Sequence, residues 1–198
     1  MKIIGITGGV GCGKSEVIRY IMKEYNCCVI FADDVAKQLQ KKGGLCYDKI
    51  VGLLGEEILD SRGEIDKAKM AAKIFADDQL LEKVNDIIHP AVKDYILAQI
   101  EQSQTEGNVE SFIIEAALLI ECGYGKIVDE MWYVHTSDNI RRERLKQSRG
   151  YSDEKINQIF ASQLSYEEFI EACSFVIDNN QSMENTQKQI DDKLEEYL

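Results

Sequence analysis

Lys2 to Ser15 reads KIIGITGGVGCGKS, and this stretch decides the fold. Lys2–Thr7 is short and almost continuously apolar, the pattern of a strand covered on both faces of a sheet. The run breaks at Gly8. Gly8, Gly9, Val10, Gly11, Cys12, Gly13, Lys14 and Ser15 then satisfy G-x-x-x-x-G-K-[ST], and an amphipathic helical pattern, Lys14–Tyr25, follows at once. Strand, glycine-rich turn and helix together are the context that makes this motif a phosphate loop. Glycines let successive backbone N–H groups face one concavity and let polyphosphate approach without Cβ clashes. The helix N-terminus adds unpaired donors and a positive dipole end. In such a loop Lys14 reaches the β- and γ-phosphates and the Ser15 hydroxyl coordinates Mg²⁺, so ATP and Mg²⁺ are the expected cofactors. The dinucleotide fingerprint G-x-G-x-x-G is not met in the segment.

Working outward, four further strand patterns appear at Cys28–Phe31, Ser111–Glu115, Met131–His135 and Ser174–Ile177. Helical patterns occupy Asp34–Lys41, Asp66–Phe75, Ala91–Gln102, Asp138–Gln147, Ser152–Leu164 and Met183–Tyr197. Strands alternating with helices predict an α/β fold with a five-stranded parallel sheet flanked by helices. About 80 residues that read as almost purely helical separate the second and third strands. The expected division of this single domain is therefore a nucleotide-binding core (1–37, 107–137 and 165–198), a helical substrate-binding insert (38–106) and a lid (138–164).

The chain has 198 residues, about 1.3 times the usual domain size of roughly 150. Its 23 Lys and Arg against 35 Asp and Glu give a net charge of −12, which argues against nucleic-acid binding driven by phosphate neutralisation. Phe112–Ile120, interrupted by Glu115, falls far short of the roughly 20 residues that span a bilayer, and the N-terminus lacks the apolar core of a signal peptide. Six cysteines include no C-x-x-C pair, and the two histidines, His89 and His135, lie far apart, so zinc-type spacing is absent. Reduced thiols in a cytoplasmic protein are the expectation, with no membrane and no obligate protein partner.

Among phosphate-loop proteins, a GTPase fits poorly. Asp60–Gly63 (DSRG) matches D-x-x-G, but it lies inside the helical insert, and no N-K-x-D sequence occurs. A small-molecule kinase needs a carboxylate at the acceptor hydroxyl and mobile cations over the transferring phosphoryl group. Asp33 and Asp34 directly follow the second strand, at the edge where open α/β sheets bind ligands. For Asp34 a helix N-cap is the favoured reading; for Asp33 capping and catalysis weigh equally. Arg141–Arg149 (RRERLKQSR) holds five basic residues and one acidic one. Arg142, Lys146 and Arg149 share a helix face beside Gly150, readable either as a lid or as a solvated basic helix.

These residues resemble the dephospho-coenzyme A kinase family over nearly the whole chain. The resemblance rests on GITGGVGCGKS (5–15), VIFADDVAK (29–37), GEEILDSRGEIDKAKMAAKIFAD (55–77) and DIIHPAV (86–92). It continues through IIEAALLIE (113–121), RERLKQSRGYSDEKI (142–156), Gln163 and VIDNN (176–180). It implies transfer of the ATP γ-phosphate to the ribose 3′-hydroxyl of dephospho-coenzyme A, with Asp33 accepting or orienting that hydroxyl. It also implies that Gly11 to Glu16 bind ATP, that His89 and Pro90 belong to the substrate-binding part, and that Asn179 lies in the segment near the adenine of ATP. The resemblance further implies a lid arginine at the phosphates, either Arg144 or Arg149. The chain departs from the family pattern in several places. Phe31 replaces an Asp and Glu16 a Thr. Glu115, a candidate outer-shell Mg²⁺ partner, replaces an Asp; Ala117 replaces a Pro; and Lys67, a candidate substrate contact, stands where Arg is common. The lid also has one extra residue between Arg144 and Arg149. Another nucleoside or nucleotide kinase, or a nucleotide-binding regulator without turnover, remains as an alternative.

Overall fold

A computed structural model describes residues 1–197. The chain forms two compact units: Met1–Ile30 with the chain from Ser103 onward, and Phe31–Gln102. The first unit contains a sheet of order β2-β3-β1-β4-β5. Its strands are β1 (Lys2–Thr7), β2 (Cys27–Phe31), β3 (Ser111–Glu115), β4 (Glu130–His135) and β5 (Phe175–Asp178). β1 pairs in parallel with β3 and β4, and β4 with β5. The expected five-stranded parallel sheet is present, with strand ends within one residue of the sequence reading.

Parallel neighbours cannot be joined by a tight turn, so helices connect the strands of this unit. α1 (Lys14–Glu24) lies with α9 (Met183–Leu194), joined where the Tyr20 and Tyr25 hydroxyls both donate to the Asp191 carboxylate at 2.8 and 2.6 Å. Burial and this carboxylate push the Tyr20 phenol up to about 12, and the Tyr25 phenol higher still, so both stay protonated donors. α8 (Tyr166–Ala172) covers β4, with Phe169 stacked on Tyr133 at 4.4 Å. α6 (Asp138–Arg149) and α7 (Asp153–Ala161) come between. The buried side chains Ile4, Ile6, Val17, Ile18, Ile21, Phe112, Ile114, Trp132, Val134 and Ile190 form the core.

The second unit holds α2 (Ala32–Leu39), α3 (Tyr47–Leu54), α4 (Lys67–Phe75) and most of α5 (Asp78–Glu106) around buried Ile50, Leu54, Ile58, Val84, Val92 and Ile96. The sequence reading and the structure differ at three helices, α3 and α5 in this unit and α8 in the first. α3 and α8 were not read as separate helices, because each is under nine residues and sits beside longer apolar runs. α5 extends through Pro90, which the sequence reading used as a boundary. Proline removes one helical hydrogen bond, and more than two turns on either side hold the helix across the gap. The D-x-x-G segment is a tight turn closing the Leu59–Ile65 bridge: Asp60 accepts from the Arg62 and Glu64 N–H groups at 2.8 and 3.0 Å, and Gly63 supplies the positive φ. A turn of this kind explains the motif without a γ-phosphate.

Candidate active site

The phosphate loop leaves β1 and enters α1 through Gly13, whose φ of +98° is left-handed and favours glycine. A Cβ at Gly13 would strike the Asn179 amide, and one at Gly9 would strike the Arg141 guanidinium. The loop is held by residues far along the chain. The Cys12 carbonyl accepts from Asn179 Nδ2 at 2.8 Å, Thr136 Oγ1 at 2.9 Å and Arg144 Nη1 at 3.3 Å. At the tip, the Val10 carbonyl accepts from Arg141 Nε at 2.9 Å, and the Val10 N–H donates to Gln163 Oε1 at 3.3 Å. Arg141 also donates to Gln163 and to Asp138, and its guanidinium lies over Phe160 at 4.2 Å. With these carbonyls engaged, the loop N–H groups not already donating within the protein are its complement for an anion.

Lys14 Nζ donates to the Gly8 carbonyl at 2.6 Å and stands 3.9 Å from Glu115 at the end of β3. Sequence reasoning placed Lys14 and Glu115 on separate elements, and the sheet brings them together. Ser15 is exposed on the first turn of α1, while Glu16 pairs with Arg19, one turn on. A carboxylate in the first turn also suits the positive end of the helix dipole. At the end of β1, before the loop, the wholly buried Thr7 hydroxyl has no hydrogen-bond partner among the described residues.

The basic segment divides its work. Arg144 reaches the Cys12 and Asn179 carbonyls and so stands at the loop. Arg142 and Lys146 each lie 2.9 Å from Asp153, fastening α6 to α7. Arg149 lies over the Tyr151 ring at 5.8 Å, next to Gly150, the left-handed cap of α6. Asn179 is buried, its amide between Cys12 and the Thr186 hydroxyl, so its side chain braces the loop.

In the second unit, Asp33 and Asp34 are exposed on the first turn of α2. The expected N-cap role of Asp34 is not what forms: Phe31 takes the cap position and Asp34 pairs with Lys37 at 2.6 Å. Helix geometry begins at Ala32, two residues before the sequence pattern suggested, so both carboxylates sit inside the helix. Lys67 opens α4, which Asp66 caps, and it lines a cavity of about 650 Å³ with Lys37, Lys41, Asp34 and Glu64. His89 is an exposed position on α5.

Sequence reasoning missed Arg141, Thr136 and the fastening role of Gln163. Arg141 lay in the quoted basic run, off the face shared by Arg142, Lys146 and Arg149. Among the described residues there is no cluster of three His, Cys, Asp or Glu able to hold a metal. The available donors, the Ser15 hydroxyl and the Glu115 carboxylate, are hard oxygens. They suit Mg²⁺, which typically takes one or two protein oxygens and completes its shell with phosphates and water.

A parallel sheet of this order, with a lysine-bearing phosphate loop after its central strand, defines a P-loop kinase. The family model for dephospho-CoA kinase matches residues 2–185. A dephospho-CoA kinase of Oceanobacillus iheyensis is 33% identical over 98% of this chain and 97% of its own length. One of Streptococcus mutans is 36% identical over 98% and 96%. A crystal structure from Thermus thermophilus shares the fold with a TM-score of 0.82 at 23% identity, covering 98% of this chain and 97% of that one. The chain belongs to the dephospho-CoA kinase family. It is an ATP-dependent kinase that phosphorylates a hydroxyl of dephospho-CoA.

Proposed function

We propose that Lys14, Asp33 and the lid arginines run this transfer, with the ribose 3′-hydroxyl as acceptor and Gly8–Ser15 with Glu16 as the ATP loop. The observation that carries the reading is the braced loop with Lys14 at its centre, opposed by Glu115. Lys14 meets the β- and γ-phosphates, and Arg144 and Arg149 supply further positive charge there. Such fixed charge stabilises the spread negative charge of a loose phosphoryl-transfer transition state. Ser15 would hold Mg²⁺, with Glu115 in its outer shell, and the ion when bound neutralises phosphate charge. Asp33 orients the acceptor hydroxyl; positioning matters more than early deprotonation in this reaction, so an ordinary carboxylate suffices. Lys67, with Lys37 and Lys41 in the same cavity, suits the anionic diphosphate of the acceptor, and His89 is assigned to the same binding role. Asn179 acts on ATP through the loop it braces. In this reading the chain divides into a nucleotide-binding core, a helical substrate-binding insert (38–106) and a lid (138–164).

Six cysteines without a disulfide support a cytoplasmic, reducing setting. Among the described residues no helix is long and apolar enough to cross a membrane.

The test is ADP release with dephospho-CoA beside a panel of nucleosides and nucleoside monophosphates, for the parent and Asp33→Asn. Turnover with dephospho-CoA alone is expected, and Asp33→Asn should lower kcat while ATP binding persists. Near-parental kcat in that variant would remove Asp33 from the mechanism.

A further inference from the structure

Beside the phosphate loop, on the sheet face covered by α8, lies a cavity of about 460 Å³. Tyr133 and His135 from β4 line it, and Tyr166 stands edge-on to His135 at 4.8 Å between ring centres. Phe160, Gln163 and Arg141 form its wall toward the loop. Two of these, Arg141 and Gln163, are the residues that bind the Val10 peptide at the loop tip. The cavity and the loop therefore share a wall.

Charge decides what class of group fits. The Arg141 guanidinium is already matched by Asp138 at 3.0 Å and stacked on Phe160. Glu168, also lining the cavity, is engaged in the capping box of α8 with Ser165. With its one buried cation paired and a carboxylate at its edge, the cavity is a poor host for phosphate. Its aromatic rings and neutral polar groups suit a planar heteroaromatic ring instead. The Tyr133 hydroxyl lies 3.2 Å from His135 Nδ1. Burial pushes the Tyr133 phenol up to about 12, so it remains a donor. Tyr133 thus satisfies Nδ1, which leaves Nε2 as the ring nitrogen of His135 able to hydrogen-bond a base.

The reacting hydroxyl of the acceptor sits on the same ribose that carries its adenine. The base must then lie one sugar ring from the transfer point, beside the loop that holds the γ-phosphate. We infer that this cavity receives the purine base of the acceptor nucleotide, with Tyr166 and His135 as its stacking and hydrogen-bonding contacts. The inference rests on dephospho-CoA being the substrate.

Steady-state kinetics with each substrate varied in turn tests it, on the parent, Tyr166→Ala and Tyr166→Phe. Tyr166 is 48% exposed, so its truncation leaves the core intact, and thermal melting checks this. Loss of one base–aromatic contact is expected to raise KM for dephospho-CoA by roughly 5- to 150-fold in Tyr166→Ala. KM for ATP and the melting temperature should stay at parental values, and Tyr166→Phe should restore the acceptor KM. A rise in KM for ATP instead would give the cavity to the donor base and overturn the inference, as would an unchanged acceptor KM. If the parent fails to phosphorylate dephospho-CoA, the substrate assignment falls and takes this inference with it, an outcome separate from a normal parent with a silent variant.

Discussion

Lys14 is largely buried and holds only the Gly8 carbonyl and the more distant Glu115 carboxylate. Neither contact anchors the fold, so Lys14→Ala should keep its melting temperature. It should lose on the order of 10²–10³ in kcat, the effect of removing one charge donor from a phosphoryl-transfer transition state, as read by ADP release. Thr7 makes the opposite case. Its buried hydroxyl has no hydrogen-bond partner among the described residues, and a buried polar atom without one costs stability. Replacing that hydroxyl by a methyl group of the same shape removes the burden. Thr7→Val is expected to match or exceed the parent by up to about 1 kcal/mol in chemical denaturation. A marked loss would show that the hydroxyl has a role in the folded protein.

At the level of elements, the pairing of α6 with α7 turns on Asp153, which serves both Arg142 and Lys146. Hydrogen bonds from these two cations lower the Asp153 carboxyl below its ordinary value. A lowered folded pKa gives stability that is present above the unfolded value of about 3.9 and is lost as the pH falls through the folded one. Asp153→Asn should therefore melt slightly below the parent at pH 7, with the gap narrowing as the pH drops below about 4. High salt should narrow it too, because the pairs are solvent-exposed. Legibility at this scale followed length and isolation. β1 and β3 carry clear apolar runs bounded by glycine or polar residues, and both were read with their observed ends. Tyr47–Leu54 holds Gly52 and only two turns, too little for a 3.6-residue period to stand out. Asp34 resembled a cap because capping depends on where helical geometry begins, and backbone contacts started α2 at Ala32.

Across the molecule, the phosphate loop was legible because its residues are contiguous and their order alone specifies the turn. The residues that hold it were not. Arg141, Gln163, Thr136 and Asn179 meet the loop across 124 to 167 positions of sequence, and only the sheet order brings them there. Asn179 is the most distant of these braces, and its amide serves Cys12 and Thr186 together. Asn179→Ala would leave both without a partner they now have. We expect a loss of about 1–3 kcal/mol in unfolding free energy and a smaller rise in melting temperature on adding ATP. Melts with and without the nucleotide measure both, and an unaltered ATP response would show that the loop keeps its shape unaided. The same brace sets a timetable for synthesis. The loop is made first, and Asn179 follows 167 positions after Cys12. At about 5–20 residues per second, that gap lasts roughly ten to thirty seconds. Throughout that interval the nascent chain displays the whole nucleotide motif while lacking the strand end that steadies it, so the braced form of the loop cannot precede the synthesis of β5.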